Sequence, residues 1–83
     1  MPEKEIGKII HYFGKINVGI IKLSGKLKVG DNIHIKGHSD DFTQVVDSIQ
    51  IEHENVTEAK KGDDVGIKVK GKVHTHDVVY RVE

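Results

Sequence analysis

The segment from Val18 to Gly37 constrains the fold most, because it contains two short apolar strands joined through glycine-rich turns. Residues 18–23 are mainly β-branched or aliphatic, and the turn signal S-G-K ends the run. Residues 32–36 alternate strictly, with isoleucine on one face and Asn, His and Lys on the other. Such period-two alternation predicts strands with one buried and one solvated face.

Strand and turn signals recur along the whole chain, with no helical segment between them. We predict strands over residues 6–13, 18–23, 32–36, 42–53, 65–69 and 78–82, with a bulge or bend near Asp47. Residues 54–61 are predicted to be a loop that places Val56 and Ala59 against the core. Because an open sheet of this size would leave two exposed edges, the pattern favours an all-β fold, a small closed antiparallel six-stranded β-barrel.

The size of the chain sets its domain organisation. The 83 residues are sufficient for one compact core. Residues 1–5 are predicted to be a flexible lead-in, and residues 6–83 a single barrel domain.

The absence of cysteine excludes disulfides and thiolate metal ligands. The charged N-terminus has no apolar signal-peptide core, and no apolar run approaches the roughly 18 residues of a membrane span. We therefore expect a cytoplasmic location and no membrane partner.

Three motifs in order carry a resemblance to a known family. They are K-V-G-D at 28–31, K-G-D-D-V-G at 61–66 and H-D-V-V-Y at 76–80. Together they resemble the β-barrel second domain of translational GTPases, the family of elongation factor Tu, over about three quarters of the chain. Related barrels also occur at the C-terminus of some collagenase-like peptidases linked to tRNA modification, and D-F-T-Q at 41–44 resembles that group too.

The resemblance implies a barrel that binds without doing chemistry. In translational GTPases this domain packs on the GTPase domain and touches ribosomal RNA, and in elongation factor Tu it helps to hold the aminoacylated end of tRNA. The 83 residues contain no G-x-x-x-x-G-K-[ST] phosphate loop, so neither GTP binding nor any other cofactor is predicted.

The main functional prediction is contact with RNA or a ribonucleoprotein, such as the ribosome or tRNA. The 13 basic and 13 acidic residues cancel, and all the basic residues except Arg81 are lysine, which argues against base-specific readout. Surface lysine also simply keeps small β-proteins in solution. The residues predicted to track a phosphate backbone are Lys22, Lys26, Lys28, Lys36, Lys68, Lys70 and Lys72.

The alternative prediction is a protein-interaction module that docks on a separate enzyme, either a GTPase or an RNA-modifying or peptidase-like partner. Such a module would present an apolar patch larger than scattered single residues. Tyr12 and Phe13 bear on both alternatives, since exposed rings could stack on bases. One of the two must point inward, and core filling is the role predicted for Phe13.

Histidine is abundant, with six in the chain. Three imidazoles meeting could hold zinc, but there is no cysteine and no H-E-x-x-H motif to fix the geometry. We therefore predict exposed histidines and no metal site, and assign a turn-forming role to H-D at 76–77. The weak candidates for metal ligands are His34, His38, His74 and His76.

No catalytic constellation is recognisable, and we predict that the domain is not an enzyme. Ser24, Ser39 and Ser48 lack a nucleophile-elbow context. The acidic pairs D-D at 40–41 and at 63–64 fall in turns, where carboxylates usually accept hydrogen bonds from backbone N–H groups.

Overall fold

A computed structural model describes residues 3–82, and this range contains ten β-strands and no helix. No segment of that range could cross a membrane as a helix. The strands are β1 (Glu3–Phe13), β2 (Val18–Leu23), β3 (Leu27–Lys28), β4 (Asn32–Lys36), β5 (Asp41–Val45), β6 (Ile49–Ile51), β7 (Glu54–Val56), β8 (Glu58–Ala59), β9 (Asp64–Lys68) and β10 (Val78–Val82).

Alternation along the strands builds a single core. In β4 the two isoleucines are buried while the polar residues are not, as the sequence predicts. β-Branched side chains suit this environment because they pack well on a pleated surface. The largest fully buried side chains include Ile6, Ile9, Ile21, Leu27, Ile33, Ile35, Ile49 and Ile67.

Eight strands form one sheet, in the order β5-β4-β10-β1-β2-β9-β6-β7, and β3 pairs with β8 in a second sheet. All described strand pairs are antiparallel. The all-β prediction is confirmed, but the closed six-stranded barrel is wrong, because the large sheet has two ends, β5 and β7. The strands 18–23 and 32–36 were predicted correctly, whereas four of the ten strands are only two or three residues long.

A buried glutamine side chain links one end of the open sheet to another strand, as backbone pairing would in a closed barrel. The side chain of Gln44, in β5, donates to the carbonyl of Lys68 at 2.7 Å and accepts from the N–H of Lys70 at 2.8 Å. These bonds tie one end of the sheet to the segment that follows β9. The side chain thus satisfies backbone groups that a neighbouring strand would satisfy in a closed barrel.

The first strand begins earlier than predicted. Glu3, Lys4 and Glu5 pair with Val82, Arg81 and Tyr80, so the described part of the expected lead-in 1–5 belongs to β1. Pairing with the last strand satisfies the backbone groups that a free lead-in would expose to water. Residues 1, 2 and 83 lie outside the described range.

The middle of the chain follows the predicted outline but is more divided. A break over residues 46–48 separates β5 from β6, at the place where the bulge or bend near Asp47 was predicted. The predicted loop 54–61 contains the short strands β7 and β8. Val56 packs against the core and Ala59 is buried, as expected.

Three turns share one design, and each precedes a strand. In the turns 28–31, 60–63 and 74–77, the last residue is an aspartate whose side chain accepts a hydrogen bond from the first residue's N–H, at 2.9–3.1 Å. The third residue has a positive φ in every case: 96° for Gly30, 94° for Gly62 and 79° for His76. Glycine adopts this conformation without cost, so His76 is the exception. The predicted turn-forming role of H-D at 76–77 is confirmed.

Candidate functional site

The first candidate is the His74 cluster, formed by Asp40, His74 and Asp77. Asp40 Oδ2 lies 2.6 Å from His74 Nδ1. The N–H of His74 donates to Asp77 Oδ2 at 2.9 Å, as part of the turn described above. One ligand atom from each of the three residues lies within 4.8 Å of the other two. The cluster therefore combines one imidazole and two carboxyl groups in a single small volume.

Gly37 makes room for this cluster. Its N–H donates to the carbonyl of Asp40 at 2.7 Å, which closes the turn between β4 and β5. A Cβ atom at position 37 would lie 1.8 Å from Asp77 Oδ1, far inside van der Waals contact. Only glycine therefore allows the Asp77 carboxyl to approach the β4–β5 turn.

The pKa values of the two carboxyl groups in the His74 cluster are shifted in opposite directions. Burial raises the pKa of Asp77, which is 4% exposed, and a hydrogen bond with Asp40 raises it further. The same hydrogen bond is the main reason that the pKa of Asp40 is lowered. Asp40 in turn raises the pKa of His74, mainly by accepting a hydrogen bond. The two carboxyl groups are therefore coupled, and a proton shared between them would favour Asp77 over Asp40.

The second candidate is the His34 cluster, formed by Glu3, His34 and Asp41. Glu3 Oε2 lies 2.9 Å from His34 Nδ1, and Asp41 Oδ1 contacts Nε2 on the other side of the ring. The hydrogen bond with Asp41 is the main cause of the raised pKa of His34, with a further contribution from Glu3 and some opposition from burial. The ring lies between carboxyl groups from β1 and β5, the strands on either side of β10 and β4 in the sheet. This cluster is an ion-pair bridge.

The structure divides the four candidate histidines. His38, His74 and His76 line one open cavity of about 390 Å³, together with Asp77. His34 is in the separate cluster on β4. The prediction considered three imidazoles and overlooked the carboxyl groups, because Asp40 is 34 residues from His74 in the chain. The segments G-H-S-D at 37–40 and H-T-H-D at 74–77 could have indicated this cluster. They are brought together only by the pairing of β4 with β10, which the sequence did not predict.

All seven predicted RNA-binding lysines are exposed. In the strand register, Lys22 lies opposite Asp64, Lys28 opposite Glu58 and Lys36 opposite Asp41. Lys68 is on β9, while Lys70 and Lys72 follow it. The strands therefore place acidic residues directly across from three of these lysines. Their role in RNA binding stays a prediction.

An apolar groove lies on the outer side of β1, β2 and β9, and we define it by Phe13, Ile16, Val18, Ile20 and Gly66. Phe13 is 44% exposed and Ile16 is 60% exposed, so the prediction that Phe13 fills the core is wrong. Tyr12 packs against the core instead. The missing side chain at position 66 leaves a shallow depression of about 360 Å³ beside Val18 and Ile20.

Known proteins resemble the chain in both sequence and fold. The family model for elongation factor Tu domain 2 matches residues 13–78. The chain belongs to the elongation factor Tu domain 2 family. The predicted family resemblance is therefore confirmed.

Two curated relatives are much longer proteins. An uncharacterised protease of Methanocaldococcus jannaschii is 42% identical over 77 residues, which are 92% of this chain and 19% of that protein. A collagenase of Porphyromonas gingivalis is 38% identical over 80 residues, which are 94% of this chain and 22% of that protein. The chain thus spans about one fifth of the length of these relatives.

A solved structure shows the same fold. It is the C-terminal domain of a Geobacillus thermoleovorans protein named as a U32 peptidase, with a TM-score of 0.91 and 19% sequence identity. The match covers 96% of this chain and 93% of that domain. The selenomethionine form of that domain gives a TM-score of 0.88. This elongation factor Tu domain 2 fold therefore occurs as a separately crystallised unit.

Proposed function

We propose that this domain is a non-catalytic docking module whose partner is the catalytic region of a U32-type peptidase, on the same polypeptide or on a separate one. The observation that carries the proposal is the length of the relatives. Two proteins named protease and collagenase match nearly all of this chain, yet the match is only 19% and 22% of their length. The relatives thus join this domain to a much larger remainder, which supports the docking role over the RNA-binding role.

The apolar groove is the surface that fits this role. Phe13 and Ile16 expose large apolar area beside the half-buried Val18 and Ile20. Monomeric proteins rarely leave contiguous apolar surface open, and such patches mark interaction sites. Aromatic and aliphatic side chains near the centre of an interface supply most of the binding energy.

The charge distribution favours protein over nucleic acid as the partner. The formal net charge is zero, and three of the seven candidate lysines lie directly across from a carboxylate. Phosphate-tracking surfaces gain their affinity from concentrated positive charge, because bound lysines release counterions. The polar side chains that also line the groove, Gln50, Glu52, His53 and Asp64, suit the polar rim of a protein interface.

The test measures binding of this domain to the isolated catalytic region of the M. jannaschii relative by isothermal titration calorimetry. We expect a Kd on the order of micromolar, which is typical of a modest interdomain surface. Ile16→Lys should weaken binding about 10-fold or more, because it puts a charge in the groove. Val45→Lys is the matched control: Val45 is 44% exposed but lies on edge strand β5, away from the groove, and this variant should bind normally.

The salt dependence separates the two functional predictions. Apolar docking should change little between low and physiological salt, whereas RNA binding should weaken steeply. Fluorescently labelled tRNA at low salt is the second ligand. Absence of binding to the catalytic region, or steep salt-dependent tRNA binding unaffected by Ile16→Lys, would overturn the docking proposal.

A further inference from the structure

We propose that Asp40, His74 and Asp77 bind a divalent transition-metal ion of the Zn²⁺ class. Their three ligand atoms already lie within 4.8 Å of one another. Zinc holds nitrogen and oxygen ligands at about 2.0–2.2 Å, so ligands of one ion are separated by about 3–4 Å. All three ligands lie outside the strands, between β4 and β5 and just before β10, so closing the remaining gap does not require a change in strand pairing.

The donor atoms select the class of ion. The His74 cluster offers one imidazole nitrogen and two carboxylate oxygens. Calcium and magnesium prefer all-oxygen sets, while imidazole suits zinc and its first-row neighbours. A site with three protein ligands also leaves a coordination position for water, as open zinc sites do.

The charge of the His74 cluster calls for a cation. Asp77 is 4% exposed and the Asp40 side chain is 9% exposed, yet the two carboxyl groups are in hydrogen-bond contact. Two carboxylates this close repel each other, and a divalent cation between them would offset that repulsion. The described ion-pair partner of Asp40 is His74, which can also act as a neutral ligand.

The surroundings provide support for the ligands and access for the ion. The N–H of His74 holds Asp77 Oδ2 at 2.9 Å, the kind of outer hydrogen bond that orients a metal-binding carboxylate. The adjoining cavity of about 390 Å³ is open to solvent, and His38 and His76 line it. An ion can therefore enter from solvent.

The His34 cluster also joins one histidine to two acidic residues, but its two carboxyl groups do not converge. Glu3 and Asp41 lie against opposite nitrogens of the His34 ring. One ion cannot contact two carboxylates that are separated by the width of an imidazole. His34 therefore provides a control histidine with two acidic neighbours and no converging ligand set.

The experiment uses the 83-residue chain after treatment with EDTA and dialysis. Zn²⁺ is titrated in by calorimetry, the bound metal is counted by mass spectrometry, and Tm is measured with Zn²⁺, Mn²⁺, Mg²⁺ and Ca²⁺ in parallel. We expect one Zn²⁺ per chain and a Tm increase of about 10 °C at a 100-fold excess over Kd. Mg²⁺ and Ca²⁺ should shift Tm by about 1 °C or less.

Three variants assign the site. His74→Gln removes a side chain that is 58% exposed, so the fold should be retained, and Zn²⁺ affinity should fall about 100-fold. Asp40→Asn should have a similar effect, and His34→Gln should bind Zn²⁺ within about twofold of the unmodified chain. Heteronuclear NMR of each variant verifies folding.

Several results would overturn the proposal. They are absence of saturable Zn²⁺ binding, binding that survives both His74→Gln and Asp40→Asn in folded protein, and an equal loss in His34→Gln. A larger Tm increase with Mg²⁺ or Ca²⁺ than with Zn²⁺ would also contradict it.

Discussion

The His34 and His74 clusters each take one aspartate from the same dipeptide, but their carboxyl groups are arranged differently around the histidine. Asp40 and Asp41 are adjacent at the start of β5, yet Asp40 contacts His74 while Asp41 contacts His34. Successive side chains of an extended chain point to opposite sides. One dipeptide therefore takes part in two histidine clusters that face different surroundings.

The direction from which the carboxyl groups approach the ring separates the two clusters. At His34 they approach both ring nitrogens, so the ring bridges two carboxyl groups. At His74 the second carboxyl group, from Asp77, lies beside the first, so three ligand atoms converge. The comparison teaches that residue composition does not distinguish an ion pair from a candidate metal site, whereas the geometry does.

The largest expected effect comes from filling the space between Gly37 and Asp77. Gly37→Ala would place a Cβ atom 1.8 Å from Asp77 Oδ1, so the turn 74–77 or the β4–β5 turn must move. We expect a loss of about 2–3 kcal/mol in the free energy of unfolding, measured by urea denaturation. The control is Gly14→Ala, whose Cβ would lie 3.4 Å from the nearest atom, in the Tyr12 ring. Equal stabilities of the two variants would contradict the described packing of Asp77.

The second prediction compares two variants in which one of the neighbouring aspartates is replaced by asparagine. Asp40→Asn should remove most of the Zn²⁺-dependent increase in Tm, while Asp41→Asn should preserve it, because Asp41 contacts His34 and Asp40 contacts His74. The expected difference in Tm between the variants is about 10 °C at saturating Zn²⁺. If both variants lost the zinc response, the two clusters would not be independent.

The third prediction concerns pH and the His34 cluster. The pKa of His34 is raised above the ordinary value of 6.5, so folding favours the protonated ring. The groups that face His34 are Glu3 from β1, Asp41 from β5 and Tyr80 from β10. The stabilisation is complete below about pH 6.5 and is lost as the pH rises through the raised pKa of the folded state.

We therefore expect the stability difference between the unmodified chain and His34→Gln to shrink by about 1 kcal/mol between pH 6 and pH 9. Urea unfolding in EDTA at each pH measures this difference. The contribution of His74 is the same in both proteins and therefore drops out of the difference. His38→Gln, an exposed loop histidine, serves as the control. A difference that grows with pH would show that the neutral ring is the one stabilised.

The smallest effect is expected at the turn beside the His74 cluster. His76 has a φ of 79°, where the two related turns have glycine. His76→Gly should stabilise the domain by about 0.5–1 kcal/mol, because it removes this backbone strain. Thermal unfolding in EDTA measures the change, and Gly62→Ala, at a φ of 94°, should be destabilising by a similar amount. A decrease in stability of His76→Gly would indicate that the imidazole makes a contact worth more than the strain.

Zinc affinity of His76→Gly refines the site further. An unchanged affinity would limit the protein ligands to Asp40, His74 and Asp77. A loss of about 10-fold or more would add His76 as a fourth ligand from the lining of the cavity.

Local chemistry made parts of this molecule predictable. The isoleucines of β4 alternate with polar residues, and Gly30 and Gly62 occupy left-handed positions that few other residues adopt readily. Side-chain orientation was predicted wrongly where an irregularity in strand pairing interrupted the simple alternation of buried and exposed residues. Phe13 was expected to fill the core, but its strand neighbour Tyr12 packs there, because a one-residue bulge near Ile10 shifts the register of β1 against β2.

Local sequence was enough to predict the all-β class, the main strands and the turns that precede them, because each depends on residues within a few positions of one another. The open ends of the sheet at β5 and β7, the outer groove lined by Phe13 and Ile16, and the contact between Asp40 and His74, which are 34 residues apart, are visible only in the folded chain. These features depend on strand order and register, which bring distant side chains within bonding distance and are not encoded in any local pattern.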